Sequence, residues 1–147
     1  MANILDQIVS AKTNELEEQK RSIPFKLLQE WTERRQPPVK FSSAFPRDGV
    51  SLIAEIKKAS PSRGLLMPNF NPTILANIYL ENGARALSVL TDRRFQGKLK
   101  HLDMVKKIAE QRSISVLRKD FIFDPYQIYE ARAYGADALL LIAAILS

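Results

Sequence analysis

From Val50 onward, short runs of aliphatic residues alternate with segments of helical period, and this alternation restricts the fold more than any other feature of the chain. The runs "SLIAEIK", "ALSVLT", "SVLRKDF" and "DALLLIA" begin near residues 51, 85, 114 and 137. Their spacings of 34, 29 and 23 residues suit strand–helix–strand units of roughly 30 residues. The intervening segments predict helices near 72–82, 99–111 and 125–134, the first ending at Asn82 and Gly83 and the last at Gly135. Because the runs are continuously apolar rather than alternating, both strand faces are expected to be buried, as in a parallel sheet covered by helices.

Residues 1–49 read differently. Ile4, Leu5, Ile8, Val9 and Leu16 form one apolar stripe of a first helix. A second, short helix covers "PFKLLQEW", opened by Ser22 and Pro24 and closed before Pro37 and Pro38. The turn-rich "QPPVKFSSAFPRDG" then connects this helical extension to the alternating part. The domain reading is an extension and connector over 1–49 and a strand–helix unit over 50–147.

Two architectures suit such a pattern. A doubly wound nucleotide-binding sheet wants a glycine-rich turn after its first strand, and "KKASPSRG" has neither the G-x-G-x-x-G spacing nor a Walker lysine. A (β/α)8 TIM barrel places its polar chemistry at the carboxyl ends of strands. The charges at the end of "AEIKK" lie there. On an extended strand Glu55 and Lys57 share one face, while Leu52, Ala54 and Ile56 share the other and are expected to pack under helices. Lys119 ends the third run in the same manner, followed by Asp120 and Phe121. A lysine in a shared cavity can act as a general acid or hold an anion.

Other residues are less specific by themselves. Ser60, Ser62 and Gly64 can offer hydroxyl and N–H groups to an oxyanion, although a Ser-Pro turn is usually only a turn. Asp92 to Gly97, including Phe95, form a polar and aromatic loop after the second run, otherwise read as solvated. His101 has no metal-ligand spacing or triad pattern, which places it at the surface or behind a site, and no metal is expected.

The net charge of +6 is carried mostly by residues 50–147, which hold 14 basic and 9 acidic groups against 8 and 7 in residues 1–49. That asymmetry favours an anionic partner. The basic residues are scattered, without a basic helix face or aromatic interleaving, so a small phosphorylated metabolite is preferred and nucleic acid is not expected. No apolar run approaches the roughly 18 residues of a membrane span, and the N-terminal pattern carries charge where a signal peptide would not. With no cysteine in the chain, a disulfide framework and thiolate chemistry are excluded, and the expectation is a soluble cytoplasmic protein without membrane partners.

The stretches "EIKKASPSRG", "ALSVLTDRRFQG" and "VLRKDFIFDPYQIYEARAYGADALLLIAAIL", in this order and at these separations, resemble the N-terminal half of the indole-3-glycerol phosphate synthase family. The resemblance covers essentially the whole chain, since that family also begins with a helical extension. It implies a (β/α)8 barrel that closes the ring of 1-(2-carboxyphenylamino)-1-deoxyribulose 5-phosphate with loss of carbon dioxide and water, in tryptophan biosynthesis and without a cofactor. It further implies that Lys119 is the general acid and Glu55 one of two catalytic glutamates. By the same likeness Lys57 anchors the anionic substrate, Ser60 lies in the binding turn, and Phe95 and Phe121 contact the anthranilate ring. Arg94 stands where many relatives carry a second aromatic residue.

A complete barrel needs about 250 residues. The expectation for this chain is therefore a half-barrel of four strands, lacking the second glutamate and the loops that grip phosphate, and inactive alone. Its edges, Val50–Lys57 and Asp137–Ala143, would then be open to pairing, so self-association is expected of the chain whereas a full-length enzyme can be monomeric. The rival readings are a half-barrel serving as an assembly or anion-binding module, and another phosphate-handling biosynthetic barrel.

Overall fold

The computed structural model describes residues 3–46 and 48–146. Strands β1 (Ile53–Ile56), β4 (Ala86–Leu90), β5 (Ser115–Lys119) and β6 (Ala138–Leu139) form one sheet in the order β1-β4-β5-β6, and each adjacent pair is parallel. Helices α3 (Pro72–Glu81), α4 (Leu99–Ala109) and α5 (Pro125–Ala133) make the crossovers. Strand order follows chain order, as it does when successive strand–helix units wind in one direction, and the sheet is part of a (β/α)8-type barrel without closing into one.

Local chemistry sets the helix ends. Asn71 accepts hydrogen bonds from the Thr73 and Ile74 N–H groups at 3.0 and 3.2 Å, and Pro72 occupies the first helical position, where its missing N–H costs nothing. At the other end of α3, Gly83 takes a φ of 89°, which a side chain would oppose. Asp124 and Gln127 form a reciprocal capping box at the start of α5. The core lies between sheet and helices. Ala54, Ile56, Leu87, Val89 and Val116 from the strands meet Leu75, Ala76, Leu102, Val105, Ala109 and Ala131 from α3, α4 and α5. Burying each Leu, Ile or Val contributes about 1.5–3 kcal/mol.

The first helix, α1 (Ile4–Ser22), opens with an Asn3–Asp6 capping box, and α2 (Phe25–Glu33) follows Pro24. Leu16 of α1 and Leu28 of α2 pack with Tyr126 and Ala133 of α5. The Tyr126 hydroxyl donates to the Gln19 and Ile23 carbonyls, tying the α1–α2 joint to α5. Of the expected α1 stripe only Leu16 is fully buried, and Ile4 is 75% exposed. The helix crosses the strand ends instead of lying along a core, so its buried face includes a lysine, Lys12.

Two expectations are corrected, and one turn gains a context. "DALLLIA" pairs as a strand only at Ala138 and Leu139, against Leu117 and Arg118, after which Ala143–Ile145 turns into a short 3-10 helix. Among the described residues no strand lies on the far side of β6, and after the Leu140 N–H has donated to the Arg118 carbonyl at 3.2 Å the pairing with β5 ends. Leu52 is half exposed rather than packed under helices, because it precedes β1 at the sheet edge, where its carbonyl accepts the Arg85 and Ala86 N–H groups. The "SPSRG" turn belongs to a small antiparallel hairpin, β2 (Ala59–Ser60) with β3 (Gly64–Leu65).

Candidate active site

Parallel register brings Glu55 level with Ser88 of β4 and, one strand further, with Leu117 of β5. Lys119 lies two residues beyond Leu117 on the same face of β5, since side chains alternate. Two strand spacings, about 4.8 Å each, are more than most side chains can bridge. The small Ser88 in the middle strand leaves the long Lys119 stem room to cross. Its Nζ donates to Glu55 Oε2 at 2.6 Å, and Lys57 Nζ pairs with the other oxygen, Oε1, at 2.9 Å. One carboxylate thus sits between two ammonium groups at the carboxyl ends of β1 and β5.

All three side chains remain partly exposed, which a site needs if a substrate is to reach them. Burial alone pushes the Glu55 carboxyl up, but the hydrogen bonds and positive charges of Lys119 and Lys57 outweigh it and hold the group below its ordinary value. Glu55 is therefore an acceptor at neutral pH, and an anion arriving at Lys119 or Lys57 competes with it for their N–H groups.

The other expected residues occupy loops at this same end of the sheet. Ser60 opens the β2–β3 hairpin, where its Oγ accepts the Arg63 N–H at 3.2 Å. That hairpin packs on the 3-10 turn Arg93–Phe95 which follows β4. Phe95 ends that turn and Phe121 lies two residues past the end of β5; both side chains are half-buried. His101 is half-buried against Phe70, ring centres 5.2 Å apart, and burial followed by nearby Lys98 and Lys58 lowers its pKa. Among the described residues no group of three His, Asp or Glu side chains is gathered as a metal ion would require, and no helix is long and apolar enough to cross a membrane.

Beside this cluster lies a buried polar network that the sequence did not reveal. Asp92 is wholly buried, against the expectation of a solvated loop, because α1 closes over it. Lys12 Nζ is 3.0 Å from Asp92 Oδ2 and 2.7 Å from Asp120 Oδ1. Asp120 Oδ2 accepts from the Thr91 hydroxyl at 2.6 Å and from Arg118 Nη2 at 3.0 Å. Burial pushes the Asp120 carboxyl up, and the positive charges of Arg118 and Lys12 more than reverse this. Arg118 also donates to the Gln127 carbonyl and lies 2.9 Å from Glu130 Oε2, an ion contact whose alignment falls short of a hydrogen bond. Burial raises the Glu130 pKa, with Arg118 offsetting only part of the rise.

Arg94 belongs to this network rather than to an aromatic wall: it pairs with Asp92 at 2.7 Å and donates to the Ile8 carbonyl of α1 at 3.3 Å. A cavity of about 570 Å³ between α1 and the loops after β1, β4 and β5 is lined by Glu15, Lys58, Arg93, Lys98 and Asp120 among others. Glu55, Lys57 and Lys119 lie outside it.

Comparison with known proteins converges on one family. The family model described as indole-3-glycerol phosphate synthase matches residues 5–147. A relative of that name from Roseiflexus sp. (strain RS-1) is 50% identical across 99% of this chain and 56% of its own length. Relatives of the same name from Dehalococcoides mccartyi (strain ATCC BAA-2100 / JCM 16839 / KCTC 5957 / BAV1) and Mycobacterium sp. (strain KMS) are 46% and 45% identical, across 98% and 99% of this chain and 56% and 53% of their lengths. The chain spans about half the length of the curated relatives it matches.

Proposed function

The chain belongs to the indole-3-glycerol phosphate synthase family, and from that premise we propose that it supplies part of the active site for ring closure of 1-(2-carboxyphenylamino)-1-deoxyribulose 5-phosphate. The reaction is that of a carboxy-lyase: a ring carbon of the anthranilate attacks the ribulose carbonyl, carbon dioxide leaves, and dehydration gives indole-3-glycerol phosphate. The observation that carries the reading is the Lys57–Glu55–Lys119 cluster, in which two ammonium groups share one carboxylate.

In this reading Lys119 donates its proton to the carbonyl oxygen as the new bond forms. Transfer in the transition state supports catalysis where uniform binding would not. Lys57 holds the substrate's negative groups. Glu55 keeps both lysines oriented in the free site and takes part in the proton transfers of dehydration. Ser60 belongs to the binding turn, and Phe95 and Phe121 flank the anthranilate ring.

The test joins this chain to the C-terminal remainder of the Roseiflexus relative and follows indole-3-glycerol phosphate by its fluorescence. Turnover is expected in the joined protein. Lys119→Ala should abolish most of it while substrate binding remains measurable, and Lys57→Ala should mainly raise KM. Near-normal turnover without Lys119 would remove that residue from the mechanism.

A second proposal concerns the chain by itself. β1 pairs only with β4 and β6 only with β5 among the described residues, and Val50, Leu52, Ile53 and Leu141 are exposed along these edges. Unpaired edges with apolar neighbours are templates for a second copy. Sedimentation of the 147-residue chain is expected to show concentration-dependent association, and a sharp monomer over a hundredfold range would contradict it.

A further inference from the structure

Lys12 is a buried lysine on a helix that contributes nothing to the sheet. It shares a helix face with Leu16, one turn on, which packs against α2 and α5, while Lys12 itself reaches the residues that follow β4 and β5. Its side chain is 6% exposed, and those of Asp92 and Asp120 are 0% and 1%. Burying an ammonium group is costly unless close opposite charges and hydrogen bonds offset it, so the position calls for an explanation beyond helix docking.

The two carboxylates provide one. Asp92 Oδ1 accepts the Arg94 N–H at 2.8 Å and so fixes the start of the turn that ends in Phe95. Asp120 Oδ1 accepts the Phe121 N–H at 2.9 Å. Arg94 lies within the Asp92 turn and Arg118 holds Asp120 to β5, while Thr91, one residue before Asp92, also bonds Asp120 but leaves the Asp92 carboxylate itself unlinked to it. Among the described residues Lys12 is the one side chain that pairs with both carboxylates by charge or hydrogen bond.

We propose that Lys12 is a positioning residue of the active site: by joining Asp92 to Asp120 it holds the backbones that carry Phe95 and Phe121 in fixed relation to each other. The first helix then acts on the reaction from outside it, through the spacing of two aromatic rings. This rests on the reading above in which those rings flank the substrate.

The test has two arms. In the 147-residue chain, NMR measures amide exchange at Arg94 and Phe121, with Leu87 and Val89 of β4 as internal references. Lys12→Met is expected to speed exchange at Arg94 and Phe121 at least tenfold relative to the references. Lys12→Arg, which restores the charge, should return both to within about threefold of the native chain. Should Lys12→Met fail to fold, Lys12→Gln carries the same comparison. Rates at both amides within twofold of native, or an equal loss of protection at the β4 references, would overturn the proposal, since Lys12 would then be irrelevant or merely stabilising. In the joined protein Lys12→Met should lower kcat/KM about tenfold, with recovery in Lys12→Arg; full activity in Lys12→Met would also overturn it. If the joined protein is inactive with Lys12 intact, the failure falls on the proposed function, and the exchange arm decides on Lys12.

Discussion

Gly97→Ala tests the path of the loop between β4 and α4. A Cβ at Gly97 would lie 2.4 Å from the Leu90 carbonyl oxygen and 2.7 Å from the Thr91 carbonyl carbon. Both are backbone atoms, the first in a buried strand, so no side chain can rotate away. Restoring ordinary contact requires a shift of about 1 Å in the segment from Asp92 to Lys98, and forced overpacking of this kind costs about 1–3 kcal/mol. For a domain of this size each kcal/mol lowers the melting temperature by about 3 °C, so thermal unfolding followed by circular dichroism should show a loss of about 3–9 °C. Gly83→Ala is the control. Its Cβ would meet nothing within 4 Å, but its φ of 89° is one that L side chains rarely adopt, at a cost of roughly 1–2 kcal/mol. The two variants should lose similar stability by different routes. Only Gly97→Ala should move the amide resonances of Phe95 and Gln96. A Gly97→Ala chain that melts within 1 °C of the native one with those resonances unmoved would refute the described backbone path.

Leu28→Ala empties a fully buried position between α2 and α5. It should cost about 2–5 kcal/mol, seen as a lower urea midpoint with an unchanged slope, and a loss below 1 kcal/mol would contradict the packing of α2. The pH dependence has a sign that can be worked out. Glu55, Asp103, Asp120 and Asp124 all have folded pKa values below their ordinary ones. Their contribution is therefore full above the ordinary carboxylate range and disappears as pH falls through the lowered values. Glu130 is raised, so it favours the fold while protonated and opposes it as pH rises through its folded value. Glu130→Gln should make the gain in stability from acid to neutral pH larger than in the native chain; an unchanged or smaller gain, measured by urea unfolding across pH, would reject the assignment.

The parts legible in the sequence were those with local causes. The strands at 53–56, 86–90 and 115–119 and the helices that follow them announce themselves by composition and caps within a few residues. Glu55, Lys57 and Lys119 stood out because charge at the end of an apolar run is conspicuous. Burial that depends on distant chain was not legible. Asp92 reads as a loop residue until α1 is placed above it, and Lys12 lies 80 residues away in sequence. The fates of Leu52 and Leu141 depend on strand neighbours that composition does not encode. The β2–β3 hairpin is two residues deep on each side, too short for any periodicity to register.

The position of α1 also bears on the order in which the chain can fold. The helix is made before the strands it covers, and its partners Asp92 and Asp124 lie 80 and 104 residues later than the lysines they hold. During synthesis Lys12 therefore emerges long before any buried carboxylate exists to receive it, and desolvating its ammonium group early would be unfavourable. Adjacent strands and helices, whose contacts are closer in sequence, can condense before that loop is closed. The first helix is then expected to dock late, onto a sheet already formed, and its release need not unfold that sheet.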